Sequence, residues 1–551
     1  MKESSAPAAG VDAWSRPPVE VSRRARNEIL VAILLGLFLS ALDQTIVGTA
    51  LPTIVTDLKG NDLYVWVVTI YLITSTVTGP MYGKLSDLFG RKPMLLFGVG
   101  LFLLGSALSG FSQEMWQLIL FRGIQGIGAG AIFPIALAII GDLFTPAERG
   151  KYQGLFGAVF GIAALIGPWL GGLLTETVGW HWVFFVNLPV GAVTIYIIWR
   201  LLPTLKREGA RPRIDYLGAA TLTAGLVPIL IGLTNARANA WSDPNVWAWI
   251  VGGAILLAVF LVVEARANEP IIPLQLFRLR TFSVSMFAVF AASFGFFGSI
   301  VFLPIWFQVV EGSSPTASGY QLLPFLAGLI ISSIVSGQLV SRTGRYKWLT
   351  VGAISSMVLG LLLLTNLRAG TPLPTVWIWM FITGLGVGPS LAVYTIIVQN
   401  SVPMKMLGAA TSDLTLFRQV GGTVGLTLGF TIFRTGLTHQ IPTQLLAAGV
   451  PQAALDKVPP GALNAADLTT VGDKGLAFLQ AVPEQLRGPI TNGIHEAISI
   501  SIADSFWLGV GAAILAALAT ALLIEAPLRT TFHDPAEPES AGRPPAMAAI
   551  D

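Results

Sequence analysis

Fourteen predominantly apolar stretches, each of about 18 residues or more, leave this chain few folds to choose from. They run over 29–50, 64–82, 94–111, 116–140, 155–174, 183–202, 216–234, 246–263, 282–310, 320–340, 349–367, 374–398, 414–433 and 501–524. One membrane helix needs about 20 such residues, whereas a barrel strand needs about 10 with alternating polarity, and no such alternation is present. Water cannot be the solvent for these segments: only 11% of the 551 residues are charged, against about 25% in a soluble domain. The expected fold is therefore an all-α membrane protein with fourteen transmembrane helices. Intrinsic disorder and a disulfide-stapled secreted scaffold are excluded, the latter because there is no Cys.

The basic residues orient the helices. Of 33 Lys and Arg, twenty-four fall on the side that holds both chain ends and the loops after even-numbered spans, including Arg23, Arg24, Arg26, Lys84, Arg91 and Lys92. Seven fall on the other side, and Arg122 and Arg418 lie within spans. The positive-inside rule makes the rich side cytoplasmic. Trp66, Trp116, Trp180, Trp182, Trp241, Trp247, Trp249, Trp306, Trp377, Trp379 and Trp507 fall near outer helix ends, where an indole suits the lipid–water interface. No small-residue cleavage site follows the first apolar run, so it is expected to stay as a helix rather than be removed as a signal peptide.

Two loops repeat. Gly83-Lys-Leu-Ser-Asp-Leu-Phe-Gly-Arg-Lys-Pro-Met-Leu95 joins spans two and three, and Gly337-Gln-Leu-Val-Ser-Arg-Thr-Gly-Arg-Tyr-Lys-Trp-Leu349 joins spans ten and eleven, at an offset of 254 residues. Removing the segment that holds spans seven and eight leaves about six helix-plus-loop units between the copies. The chain thus divides into a cytoplasmic tail (1–27), a six-helix bundle (28–202), a linker with two extra helices (203–281), a second six-helix bundle (282–525, with an outer loop at 435–500) and a tail (526–551). Repeated halves around a central site are the common plan of secondary transporters.

Four motifs fall in consecutive early spans and loops. The loop motif G-x-L-a-D-r-x-G-r-k is met by Gly83, Leu85, Asp87, Gly90, Arg91 and Lys92, with Leu88 in place of its first arginine. A first-span motif is met by Leu42, Asp43, Thr45, Ile46, Ala50, Leu51 and Pro52, with Gly48 for the usual Asn. A fourth-span motif is met by Leu118, Arg122, Gln125, Gly126 and Gly128. A span-five motif is met by Gly154, Gly167, Pro168, Gly171 and Gly172, with Ala163 for a usual Gly. On these motifs the chain resembles the fourteen-helix drug:proton antiporter branch of the major facilitator superfamily, whose antiporter motif is the span-five one, and Trp180 with the run Trp182-Val-Phe-Phe-Val-Asn-Leu-Pro189 resembles that branch's entry to span six. The resemblance implies a proton-driven exporter of hydrophobic, often cationic compounds, working by alternating access in a bacterial cytoplasmic (inner) membrane with both termini inside. Export of a lipid or other amphiphilic metabolite is the alternative. It implies no cofactor and no ATP, a monomer as the functional unit, protons and lipid as partners, no nucleic acid, and leaves open an accessory periplasmic or outer-membrane partner.

The ionisable residues inside spans are the functional candidates. Asp43 lies about two-thirds along span one, where a carboxylate should be neutral unless a cation or water compensates it. It is either a proton carrier or a structural acid, and Gly36, Ser40, Val47 and Ala50 on its face would suit a cavity. Arg122 keeps its charge and needs an acceptor, so it either supports proton coupling, as the resemblance implies, or snorkels to the outer end. Gln44 and Gln125 are polar cavity candidates. Arg418, close in sequence to Asp413, is read as gating or snorkelling, and Asp504 as a second titrating group or a helix-start acid. The glycines of span five with Pro168 form a packing or hinge device between moving halves. Asp87 is expected to cap or pair with a neighbouring helix end on the cytoplasmic side, while Arg91 and Lys92 also serve orientation. Ser341 replaces that acid in the second copy, so such a lock would be one-sided. His495 and Glu496 are adjacent and face different ways, so no metal site is expected. The outer loop is expected to fold as short helices over the entrance. An ATP-driven pump, an enzyme and a sensor are disfavoured: there is no G-x-x-x-x-G-K-[ST], no Cys, no His in any span and no large cytoplasmic domain.

Overall fold

A computed structural model describes residues 22–59, 63–202, 214–238, 241–452 and 484–528. Among these residues there are sixteen α-helices and no strand. The first bundle comprises α1 (Arg23–Asp57), α2 (Tyr64–Phe89), α3 (Arg91–Gly110), α4 (Met115–Leu143), α5 (Pro146–Thr177), and a sixth span broken into α6 (Trp182–Phe185) and α7 (Asn187–Leu201). The insert is α8 (Tyr216–Ala238) and α9 (Pro244–Glu264). The second bundle is α10 (Arg280–Val309), a span broken into α11 (Pro315–Gln321) and α12 (Leu323–Thr343), α13 (Lys347–Leu364), α14 (Leu373–Ser401), α15 (Leu407–Ala447) and α16 (Glu484–Ala521). Both breaks precede a proline, Pro189 and Pro324, whose missing N–H cannot bond the carbonyl four residues back. Counting each broken pair once gives fourteen membrane-length units.

Twelve of these are long and apolar enough to cross a membrane by length and composition; α2 and α15 fall outside that set. Both are rich in hydroxyl side chains, and they pack on each other across the middle of the molecule. The second pairing between bundles is α5 with α12, and the insert leans on α15 and α2. The repeated loops share their geometry as well as their spelling: Gly90 (φ +99°) and Gly344 (φ +68°), at matched positions, both take the left-handed region that favours glycine.

Three sequence expectations change. First, α15 continues to Ala447 and α16 begins at Glu484, so both flanks of the 435–500 loop are extensions of the spans; residues 453–483 lie outside the described residues. Apolar runs mark the lipid-facing length of a helix, not its hydrogen-bonded length, which continues through polar residues such as Thr438, Gln440 and Gln444. Second, Asp504 is consequently twenty residues into α16 rather than at a helix start, and it is half-buried. Third, Trp306 and Trp180 are core rather than belt residues: Trp306 is 0% exposed and donates Nε1–H to Ser499 Oγ (2.9 Å), and Trp180 donates to Asp57 Oδ2 (2.8 Å).

Candidate coupling site and central cavity

Four helices of the first bundle converge on Asp43, which is 0% exposed. Its Oδ2 accepts from Arg122 Nη1 of α4 at 2.6 Å, and its Oδ1 accepts from Gln125 Nε2 of α4 (2.8 Å) and Asn187 Nδ2 of α7 (3.0 Å). Gln125 Oε1 in turn accepts from Arg122 Nη1 (2.7 Å), and Asn187 Nδ2 also reaches Ser106 Oγ of α3 (3.0 Å). The Arg122 guanidinium lies over the Tyr71 ring of α2, 4.2 Å from its centroid. Such close convergence depends on absent side chains. A Cβ at Gly105 would strike the backbone of Gln125, and one at Gly126 would strike the backbone of Tyr71. The compensating cation that a buried Asp43 requires is thus Arg122, with two amides completing the shell. Arg122 is not snorkelling: it is 1% exposed and points inward.

A cavity of about 110 Å³ lies between the bundles, lined by α1 (Leu37, Ser40, Gln44), α2, α4, α5, α10, α14 and α15. Gln44 lines it, but Gln125 does not; its amide is consumed by Asp43 and Arg122. Asp43 itself faces α4 and α7, and of its expected cavity face only Ser40 reaches the cavity. Val47 and Ala50 pack in the core, and Gly36 sits against Thr194 and Ile132. The connection between acid and cavity is Tyr71, whose ring carries Arg122 on one side and whose hydroxyl is 3.4 Å from Ser40 Oγ. Arg418 lines the cavity, with its guanidinium 5.9 Å from the Phe133 ring centroid. Among the described residues it makes no ion pair with Asp413, whose two carboxylate oxygens are buried without a hydrogen-bond partner.

At the basic end the bundles touch directly. Asp87, in the last turn of α2 beyond its apolar segment, accepts from Gly408 N (3.2 Å) and Ala409 N (3.0 Å) in the first turn of α15, and pairs with Arg91 (2.5 Å). Arg91 Nε also binds Asp142 Oδ2 of α4 (2.8 Å). Burial raises the Asp87 carboxyl above its ordinary value, with Arg91 and the Ala409 N–H pulling the other way. Burial opposes the Arg91 charge, yet Asp142 and Asp87 outweigh it and its pKa is raised. In the second copy Ser341 makes no such bond; there α12 meets α5 by glycine packing, Gly337 on Gly150 and Ile334 on Gly154. Gln153 of α5 donates to Gln399 of α14 (3.0 Å) on the same side. Among the expected hinge residues, Gly154 faces the other bundle, whereas Gly167 and Gly171 face Thr45 and Ile46 of α1 and so fix α5 within its own bundle. Gly172 is near Thr316 of α11, and Pro168 lies within a continuous α5 beside Gly319. Gly83, next to the loop, has Ser412 and the Gly408 carbonyl where a Cβ would stand, and Lys92 lies in the first turn of α3.

Sequence reasoning did not single out Asn187, Ser106 or Tyr71. The run containing Asn187 was visible only as a family resemblance, and neutral polar residues inside spans give no charge signal.

The chain matches the model of the Major Facilitator Superfamily over residues 33–426. It is 35% identical over 504 residues to Multidrug resistance protein 3 of Bacillus subtilis, covering 91% of this chain and 96% of that one. It is 32% identical over 520 residues to Efflux pump dotC of Dothistroma septosporum, covering 92% and 86%. Among solved structures it superposes on the human organic anion transporter MFSD10 with a TM-score of 0.58 at 16% identity, covering 88% of this chain and 99% of that one. At that identity the likeness speaks for the fold alone.

Proposed function

Because the chain belongs to the Major Facilitator Superfamily, we propose that it is a proton-coupled antiporter that exports hydrophobic compounds by alternating access. The similarity to chains named for multidrug resistance and efflux supports export. The observation that carries the coupling is the Asp43–Arg122 pair, at 2.6 Å and at most 1% exposed. A proton on Asp43 removes the charge that holds the guanidinium, and Arg122, which stays ionised, must then find another acceptor. Tyr71 stands between that event and the cavity wall, so loss of the pair reaches the surface that a substrate touches. Substrate and proton would alternate: the acid discharges inward while the cavity loads, and recharges from outside as the cavity empties. The Asp87 clasp on the α15 N-terminus would hold the basic, cytoplasmic end shut in one half of that cycle. The cycle draws on the proton gradient of a bacterial inner membrane and uses no ATP.

The test is efflux of a lipophilic dye from proteoliposomes under an imposed pH gradient. The parent should drive uphill efflux that collapses with a protonophore, and Asp43→Asn should lose gradient-driven efflux while keeping downhill exchange. Uphill efflux that is unchanged in Asp43→Asn would remove the acid from coupling.

A further inference from the structure

Among the described residues that line the central cavity, Arg418 is the one Lys or Arg, and none is Asp or Glu. The side chain is 7% exposed, its Nη2 has no hydrogen-bond partner, and among the described residues it makes no ion pair and no hydrogen bond. Its guanidinium lies over the face of Phe133. Arg122, the other arginine within a span, shows the contrast: it is saturated by Asp43 and Gln125. A guanidinium does not shed its proton, and leaving one uncompensated away from water costs several kcal/mol. An anion arriving from solution removes that penalty, which makes Arg418 a preformed point of attachment rather than a gate.

The surroundings describe the rest of the ligand. Phe133, Phe160, Phe296 and Phe297 supply an aromatic wall from three helices, and Gln44, Gln419, Ser412 and Thr415 supply neutral polar groups. Mostly apolar walls with a few convergent polar groups suit a compact apolar body with one polar end. We propose that the cavity binds amphiphiles with a single anionic head, a carboxylate, sulfonate or phosphate, paired with the Arg418 fork while the apolar body lies against the phenylalanines. A cationic head would meet Arg418 with no carboxylate to offset it. The inference rests on this cavity being the one used in the transport cycle proposed above. It turns that reading away from the cationic compounds that the family resemblance implies, and towards amphiphilic metabolites or lipids.

The test is calorimetric binding to the purified chain in lipid nanodiscs, with empty discs subtracted, using naphthalene-1-acetate and (1-naphthylmethyl)trimethylammonium as bodies of one shape with opposite heads. The parent should bind the acid at least about tenfold more tightly, a difference of about 1.4 kcal/mol. Arg418→Gln should abolish that preference, and Arg418→Lys, which keeps the charge but loses the fork, should keep part of it and shows that the cavity still forms. Equal binding of the acid by the parent and Arg418→Gln, or tighter binding of the ammonium by the parent, would overturn the inference. These outcomes need no gradient. If acid binding depends on Arg418 while uphill efflux fails, the coupling falls and the anion site stands; if efflux runs and Arg418→Gln binds like the parent, the anion site alone falls.

Discussion

A buried ion pair is strained by its own solvation cost, so its neighbours decide whether it persists. Asp43 keeps its pair because Gln125 and Asn187 fill the second carboxylate oxygen, and Asn187 is itself held by Ser106, which donates to the Phe184 carbonyl. Replacing Arg122 by Gln leaves a carboxylate in a dry site without its cation, and should cost about 3–5 kcal/mol, read as loss of thermal stability in detergent at neutral pH. Asn187→Ala removes one donor only and should cost about 1–3 kcal/mol. It should also shift the pH dependence of efflux, whereas a merely structural role would lower stability and leave the profile in place. At this scale the sequence was informative where charge was at stake: Asp43, Arg122 and Arg418 stand out because spans carry so little of it. It was blind to direction. Nothing in the spelling of α1 says that Asp43 turns to α4 and α7 while Ser40 and Gln44, on an adjacent face, meet the cavity.

Helices inherit their roles from what their faces must touch. The two spans outside the apolar set, α2 and α15, are two of the seven helices that line the cavity, and hydroxyls such as Thr74 and Thr78 bond back to carbonyls of their own turn instead of to lipid. Their existence was legible from length alone, whereas the full length of α15 was not. The α5–α12 crossing has its own rule. At Gly337 a Cβ would stand 2.9 Å from the Gly150 carbonyl carbon, with the carbonyl oxygen closer still. Gly337→Val should therefore destabilise the closed basic end by about 1–3 kcal/mol, and limited proteolysis or cysteine labelling at that end should report it as increased access. Gly172→Val, with only Thr316 within 4 Å at 3.6 Å, should be tolerated on the same assay.

The bundles as bodies are joined at the basic end by bonds of unlike kind, an acid on a helix N-terminus on one side and bare backbone contact on the other. That asymmetry was foreseeable from Ser341 standing where the first copy has Asp87, but the partner of Asp87, the first turn of α15, was not, because it lies more than 300 residues away in the chain. Since burial raises the Asp87 carboxyl in the closed contact, closure binds a proton more tightly than the released, hydrated form does. The contribution of Asp87 to closure is thus fully present below the ordinary carboxylate value and is lost as pH rises through the raised one. Spin labels at Lys92→Cys and Arg345→Cys, in a chain with no native Cys, should show the short distance losing population as pH rises through that window. The dependence should vanish with Asp87→Asn.

The glycine contact between α5 and α12 also sets a ratio of movements. With no side chain between Gly150 and Gly337, a tilt of α5 about this crossing would have its pivot near one end of a stiff rod, and would part Gly154, Gly157 and Gly161 from α12 in turn. From there α5 runs unbroken to Thr177, roughly 40 Å at 1.5 Å per residue. A tilt of about 10° about that point sweeps the far end through roughly 7 Å while the glycine end moves by a fraction of that. In such a tilt the helix would work as a long-armed lever, a small adjustment beside the clasp becoming a large one at the opposite mouth.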